Sequence, residues 1–272
     1  MSKLIFDIGC NEFKFSLACK EKYPDSKIVA VDPIGEVHSF YKSKCCHAKN
    51  ITFVNKAVSD KADQIKTFYF NRSAPTLSTL SERFLDNSRF STGTDEILSG
   101  FLNQVRDSNG NIVDLTLEQL KSVMKKQHGS LKEFMKATYN HEKRMIQTTT
   151  LDALIKEHGN PDLIKIDVEG YELQVLKGLS TKEGKICFEW HEEAYQDLCD
   201  CLDRLEELGY EEFGILGFYE EGDSFEFLEF DEKGDSYIQE PNKYYDLASI
   251  KGELKSCVNI DRKSNWGMAW AK

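Results

Sequence analysis

Residues 3–33 read KLIFDIGCNEFKFSLACKEKYPDSKIVAVDP, and this stretch decides the fold class. Lys3 to Ile8 is a short apolar run that stops at Gly9, the pattern of a buried strand followed by a glycine turn. From Glu12 to Tyr23 the apolar residues Phe13, Leu17 and Ala18 fall at helical spacing, and Pro24-Asp25 breaks the helix. Lys27 to Val31 is β-branched and apolar, a second buried strand, and it stops at Asp32-Pro33. Strand, glycine turn, helix and strand in about thirty residues make a βαβ unit and predict an α/β protein with a parallel sheet.

The alternation continues outward from this unit. A helical segment around Val37 to Lys44 leads to a third strand at Ile51 to Asn55, and Thr67 to Phe70 reads as extended. From about Ser73 to Gln147 the chain turns polar, with turn signals at Asn109-Gly110 and His128-Gly129. Amphipathic helical stretches fall between, at Leu117 to Met124 and Leu131 to Tyr139. This reads as an insertion on the sheet, helical over 93–147, within a single domain spanning 1–272. Regular order then returns. A helix over Thr150 to His158 precedes a strand over Leu163 to Val168. A helix opens at Glu172 to Lys177, and a strand follows at Lys185 to Glu189. A long helix over Glu193 to Leu208 ends at Gly209, and strands near 212–216, 225–230 and 267–271 finish the chain.

Composition narrows the function classes. A chain of 272 residues buries a sizeable core without staples. Its net charge of -11 opposes a phosphate backbone, so no nucleic-acid partner is expected. No apolar stretch approaches the roughly 20 residues that span a bilayer, and the N-terminus runs into a strand without a signal peptide. Eight cysteines, at 10, 19, 45, 46, 187, 199, 201 and 257, form no CxxC pair and suit a reducing compartment. The expectation is a cytoplasmic protein without a membrane partner.

Three constellations carry the chemistry. Asp7-Ile8-Gly9-Cys10-Asn11 closes the first strand, and Asp32 closes the second. Glycine there lets the backbone turn tightly against a ligand, and an acid at the second strand end binds ribose hydroxyls. The pattern GxGxxG fails at positions 11 and 14, which disfavours a dinucleotide and favours an adenosine ligand without phosphates. The alternative is that Gly9 is only a turn glycine and Asp32 a helix N-cap. Next, Asp167-Val168-Glu169-Gly170-Tyr171-Glu172 leaves the fourth core strand with carboxylates suited to bind a cation or accept a proton, Asp167 foremost. Glu169 or Glu172 serves as well to cap the following helix. Last, Glu189-Trp190-His191 follows the next strand. His191 is a candidate general base, and Asp167, Glu189 and His191 together form an O/N ligand set for a divalent cation such as Mg.

The block Thr149 to Leu154, followed by Leu163-Ile164-Lys165-Ile166-Asp167-Val168-Glu169-Gly170-Tyr171-Glu172 and on to Gly178, resembles the FkbM family of S-adenosylmethionine-dependent methyltransferases. Phe6 to Asn11 with Phe15-Ser16 is similar to that family's cofactor loop, Val54 to Asp60 to its segment after the third strand, and Ser78-Thr79-Leu80 to a short motif beyond. The resemblance covers most of 4–80 and 148–215. It implies a doubly wound, Rossmann-like class I methyltransferase sheet of seven strands with the last antiparallel, and S-adenosylmethionine as cofactor. It assigns Asp7, Gly9, Cys10, Asn11 and Asp32 to that cofactor, with Ala57 and Ser59 near the adenine. It also implies methylation of a hydroxyl, commonly on a sugar or glycosylated product, with a small-molecule or glycan acceptor as partner. Phe13 stands where the family's loop has a second glycine, so its side chain must turn away from the cofactor or narrow the pocket. Two competing readings are a non-catalytic binding protein on the same scaffold and a nicotinamide-dependent oxidoreductase.

Overall fold

The central strands form because their residues are apolar without interruption, as strands covered on both faces must be. The computed structural model describes residues 2–37, 39, 50–72, 74–88, 98–99, 115–138, 140–217, 226–227, 238–258 and 266–272. In chain order these form β1 (Leu4–Ile8), α1 (Lys14–Lys22), β2 (Lys27–Val31), β3 (Ile51–Val54), β4 (Ala57–Val58), β5 (Ile65–Asn71), α2 (Glu82–Asn87), α3 (Leu117–His128), α4 (Leu131–Thr138) and β6 (His141–Thr149). They continue as α5 (Leu151–His158), β7 (Leu163–Ile166), α6 (Glu172–Lys177), β8 (Lys185–His191), α7 (Tyr195–Glu207), β9 (Phe213–Gly217), β10 (Glu226–Phe227), α8 (Leu247–Cys257) and β11 (Trp266–Ala271).

The main sheet runs β10-β9-β11-β8-β7-β1-β2-β3. Seven of its strands make the sheet expected from sequence, and the two-residue β10 adds an edge beside β9. All neighbours pair in parallel except the last strand, β11, which is antiparallel to both β8 and β9. Alternate residues of each strand serve opposite faces. Phe6, Ile8, Val29, Val31, Ile164 and Ile166 pack in the same core as Leu154, Val175, Leu202 and Leu205 of α5, α6 and α7. Ile5, Ile28 and Ala30 face the other way, towards Phe15 and Cys19 of α1. The order of strands reverses at β1, which lies between β2 and β7. Open α/β sheets bind ligands in the crevice at the carboxyl ends of strands around such a reversal.

One expectation changes. The predicted insertion is helical in α3 and α4, whose Leu120, Met124 and Met135 make a small core of their own. Its end is not helical, because β6 occupies 141–149 and pairs along its length with β5. With β4 these two strands form a separate three-stranded sheet. The helical segment around 37–44, Cys45 and Cys46, the turn at Asn109-Gly110, the middle of the insertion and most of 225–230 fall largely outside the described residues. The cysteines Cys10, Cys19, Cys187, Cys199 and Cys201 are buried and unbridged. Among the described residues, no helix is long and apolar enough to cross a membrane.

Candidate active site

The first wall of the site is the turn after β1. Gly9 adopts a φ of 76°, and a Cβ there would lie 1.8 Å from the carbonyl oxygen of Asp167. Only glycine fits, because the end of β7 crosses directly against it. The Gly9 and Cys10 amides both donate to the Val31 carbonyl, at 2.9 and 3.2 Å, which ties the turn to β2. The turn continues through two more left-handed residues, Asn11 at φ 37° and Phe13 at φ 63°. Phe13 is fully buried, its ring 5.8 Å from that of Phe53, within the core that holds α1. It points away from the cavity described next, so the substitution of phenylalanine for the family's glycine leaves the pocket open.

A cavity of about 310 Å³ opens at the carboxyl edge of β1, β2, β7 and β8. Of the residues predicted to hold a cofactor, Gly9, Cys10, Asn11, Asp32 and Ala57 line it. Asp32 accepts hydrogen bonds from the Asn11 amide at 3.0 Å and the Ile34 amide at 2.9 Å, one on each carboxylate oxygen. Burial pushes its carboxyl up to about 6, partly offset by those two amides. Asp32 therefore fixes the loop and also presents a carboxylate to the cavity.

Asp7 and Ser59 do not line the cavity. Asp7 is wholly buried behind the turn, where Ser16 donates to it at 2.6 Å and the Lys165 ammonium lies 3.5 Å away. Burial raises its carboxyl above the usual range, and Lys165 opposes that. Its position on β1 points it into the sheet face under α1 and not over the strand ends. Ser59 is buried as well, accepting from Lys66 at 2.9 Å, and Lys66 donates to the Tyr171 hydroxyl at 2.8 Å. Ser59 thus reaches the cavity through Tyr171, which does line it.

Lys165 was missed in the sequence. It lies 3.2 Å from Asp167 and donates to the Gly9 carbonyl at 3.0 Å, bridging the two acids and the turn. The signal was present: a lysine inside the apolar strand LIKI requires buried partners, and lysine is almost never buried without them.

The opposite wall is built where β7 ends. Glu172 caps the turn before α6, its carboxylate accepting from the Val168 amide at 3.0 Å and the Gly170 amide at 3.3 Å. Burial pushes it up to about 7, partly offset by the Val168 amide and its own. Glu169 is thereby released from capping. It adopts φ 55°, followed by Gly170 at φ 80°, and Thr79 of the Ser78-Thr79-Leu80 motif donates to its carbonyl at 2.7 Å. A non-glycine residue in this region stores of order 1–3 kcal/mol of strain. The result is to swing Glu169 towards β8, where its Oε2 lies 3.9 Å from His191 Nε2. Glu189 Oε2 is 3.1 Å from the same nitrogen. Burial, then the Glu189 and Asp167 carboxylates, push Glu169 well above the usual range. The predicted ligand set of Asp167, Glu189 and His191 is therefore arranged differently. Asp167 pairs with Lys165, and the cluster that closes around His191 consists of Glu169, Glu189 and His191. Asp167 still lines the cavity beside them.

The Methyltransferase FkbM domain matches residues 11–212, well over half of the chain, and takes in Asp32, Asp167, Glu169, Glu189 and His191. The chain belongs to the FkbM methyltransferase family. Membership makes methyl transfer its chemistry and S-adenosylmethionine its donor, and it sets the oxidoreductase reading aside. No curated protein matches it in sequence. Among solved structures it is similar to the precorrin-6y C5,15-methyltransferase of Geobacter metallireducens, at 10% identity and a TM-score of 0.40, covering 100% of this chain and 80% of that one. It is also similar to PKMT2 of Rickettsia typhi in complex with AdoHcy, at 10% identity and a TM-score of 0.31, covering 99% and 48%. The FkbM cofactor fits the residues present. The Gly9 turn leaves room where a Cβ would intrude, Asp32 offers acceptors to two vicinal hydroxyls, and Val31, Ile34 and Ala57 offer apolar surface to a base.

Proposed function

We propose that this FkbM-family chain methylates a hydroxyl oxygen of a sugar or glycosylated acceptor, with Asp167 as the proton acceptor. One observation carries the reading. A second cavity, of about 630 Å³, meets the first at Leu80, Tyr171, Glu189 and His191. Two chambers with a shared wall of carboxylate and imidazole suit a donor in one and an acceptor in the other. The family's association with hydroxyl acceptors supports oxygen as the target atom.

The sulfonium is an activated methyl donor, so the main task is to align acceptor oxygen, methyl carbon and sulfur. A lone pair of the oxygen forms the new O–C bond as the S–C bond breaks, and its electron pair stays on sulfur as a neutral thioether. The hydroxyl proton passes to Asp167, which Lys165 holds at 3.2 Å. A positioned base contributes roughly 10²- to 10⁴-fold. Glu189 and His191, on the shared wall, face the neighbouring polar groups of the acceptor. The second cavity is lined by Glu82, Glu193, Asp197 and Asp200 against Arg83, which disfavours a phosphorylated or carboxylated acceptor.

The test is a screen of neutral and amino sugars and glycosides with labelled S-adenosylmethionine, followed by mapping of the methylated atom. Oxygen-methylated products are expected, with turnover in Asp167→Asn reduced by roughly 10²-fold or more at unchanged affinity for S-adenosylhomocysteine. Full turnover in Asp167→Ala, or methylation at nitrogen alone, would sink the proposal. The scaffold reading rested on Phe13, whose ring lies in the core and leaves the cofactor cavity open.

A further inference from the structure

Glu169, Glu189 and His191 place one ligand atom each within 4.8 Å of one another. His191 is 7% exposed, and neither of its ring nitrogens makes a hydrogen bond. Glu169 Oε2 is buried without one too. A buried imidazole in that condition costs free energy that the fold would shed by a rotamer change if nothing ever occupied the site. The spacing adds a second, independent argument. Nε2 of His191 lies 3.1 Å from Glu189 Oε2 and 3.9 Å from Glu169 Oε2, with neither contact meeting hydrogen-bond geometry. Ligand bonds of about 2.1 Å to one cation put neighbouring donor atoms about 3.0 to 3.5 Å apart, a spacing the Glu189 contact already has and the Glu169 contact reaches by a small side-chain movement. All three residues line the cofactor cavity, and Glu189 and His191 also line the acceptor cavity. Glu169 is brought there by a strained left-handed backbone held by Thr79, a device unnecessary for a surface acid.

We infer that Glu169, Glu189 and His191 form a divalent-cation site in the wall between the two cavities, with coordination positions left open towards the acceptor. Two carboxylate oxygens and one imidazole nitrogen favour a borderline ion of the Mn²⁺, Fe²⁺ or Zn²⁺ kind over Mg²⁺, which prefers oxygen ligands and its own waters. Asp167 lies outside the set, held by Lys165. The cation's use in lowering the pKa of a bound hydroxyl rests on the methyl-transfer reading; the site itself does not.

The experiment titrates Mn²⁺ into chelator-stripped full-length protein, with free ion counted by electron paramagnetic resonance, in the absence of cofactor and acceptor. The expected result is one Mn²⁺ per chain, displaced by Zn²⁺. Glu169→Gln and His191→Gln weaken it by more than the roughly 10- to 100-fold that loss of an outer-shell partner costs, and Asp167→Asn leaves it within a few-fold. Binding of S-adenosylhomocysteine, measured separately on each variant, reports that the fold and the cofactor site persist. No stoichiometric uptake of Mn²⁺ or Zn²⁺ by the unsubstituted protein overturns the site, as does uptake indifferent to Glu169 and His191. Metal uptake without any S-adenosylhomocysteine binding would leave the site standing and break the methyltransferase reading instead.

Discussion

Phe13 holds its backbone at φ 63° while its ring is fully buried against Phe53. Two costs oppose each other at this residue. A left-handed non-glycine residue pays about 1–2 kcal/mol, and truncating a buried phenylalanine pays about 3–5 kcal/mol. Phe13→Gly and Phe13→Ala are therefore both destabilising in urea unfolding, but glycine loses less, by about 1 kcal/mol, reversing the order found in ordinary secondary structure. An alanine variant more stable than the glycine variant contradicts the left-handed assignment. Asp32 makes a pH prediction. Its carboxyl is raised to about 6 by burial, and the proposed contact with ribose hydroxyls needs the carboxylate. Affinity for S-adenosylhomocysteine, followed by calorimetry, falls about tenfold per pH unit below that value. Stability moves the other way. A raised carboxyl means that the folded state holds the proton more tightly than the unfolded one, so this group's contribution declines as pH rises from about 4 to about 6. The residue scale is also where sequence reading stops short. Spacing placed Asp167, Glu169 and His191 at one edge, but only the left-handed backbone at Glu169 and Gly170 selects Glu169 over Asp167 as His191's neighbour. No count along a strand contains that turn.

Strands β1, β2, β7 and β8 were legible because both faces are covered and the sequence stays apolar along them. Strand β6 was not, since HEKRMIQTT carries charge and its first seven residues stay largely outside the core. Its pairing with β5, and not its own composition, makes it a strand. Within β7 the lysine that breaks the apolar pattern binds the site together. Lys165→Met leaves Asp7 buried beside an uncharged side chain, and breaking a buried pair costs about 3–5 kcal/mol. The loss, read by chemical denaturation, is expected to shrink as pH falls, because the Asp7 carboxyl, already raised by burial, then escapes its penalty by protonation. A pH-independent loss contradicts the pairing. At the end of β1, Gly9→Ala forces a Cβ into the Asp167 carbonyl and a side chain into φ 76°. It is expected to abolish cofactor binding and to lower the unfolding temperature sharply.

At the scale of the molecule, the eight-stranded sheet reverses its order at β1, and every group of the site stands at the carboxyl edge around that reversal. The side sheet contributes Ala57 and Val58 of β4 and Phe68 of β5 to the cavity wall, so a second sheet completes the pocket that the main sheet begins. The central claim is that this crevice holds S-adenosylmethionine between the Gly9 turn and Asp32. Calorimetric titration of S-adenosylhomocysteine into the purified chain tests it most directly. The account predicts one site per chain with micromolar affinity, lost in Asp32→Ala while the protein stays folded. Absence of binding by the unsubstituted chain, or binding unchanged in Asp32→Ala, contradicts it.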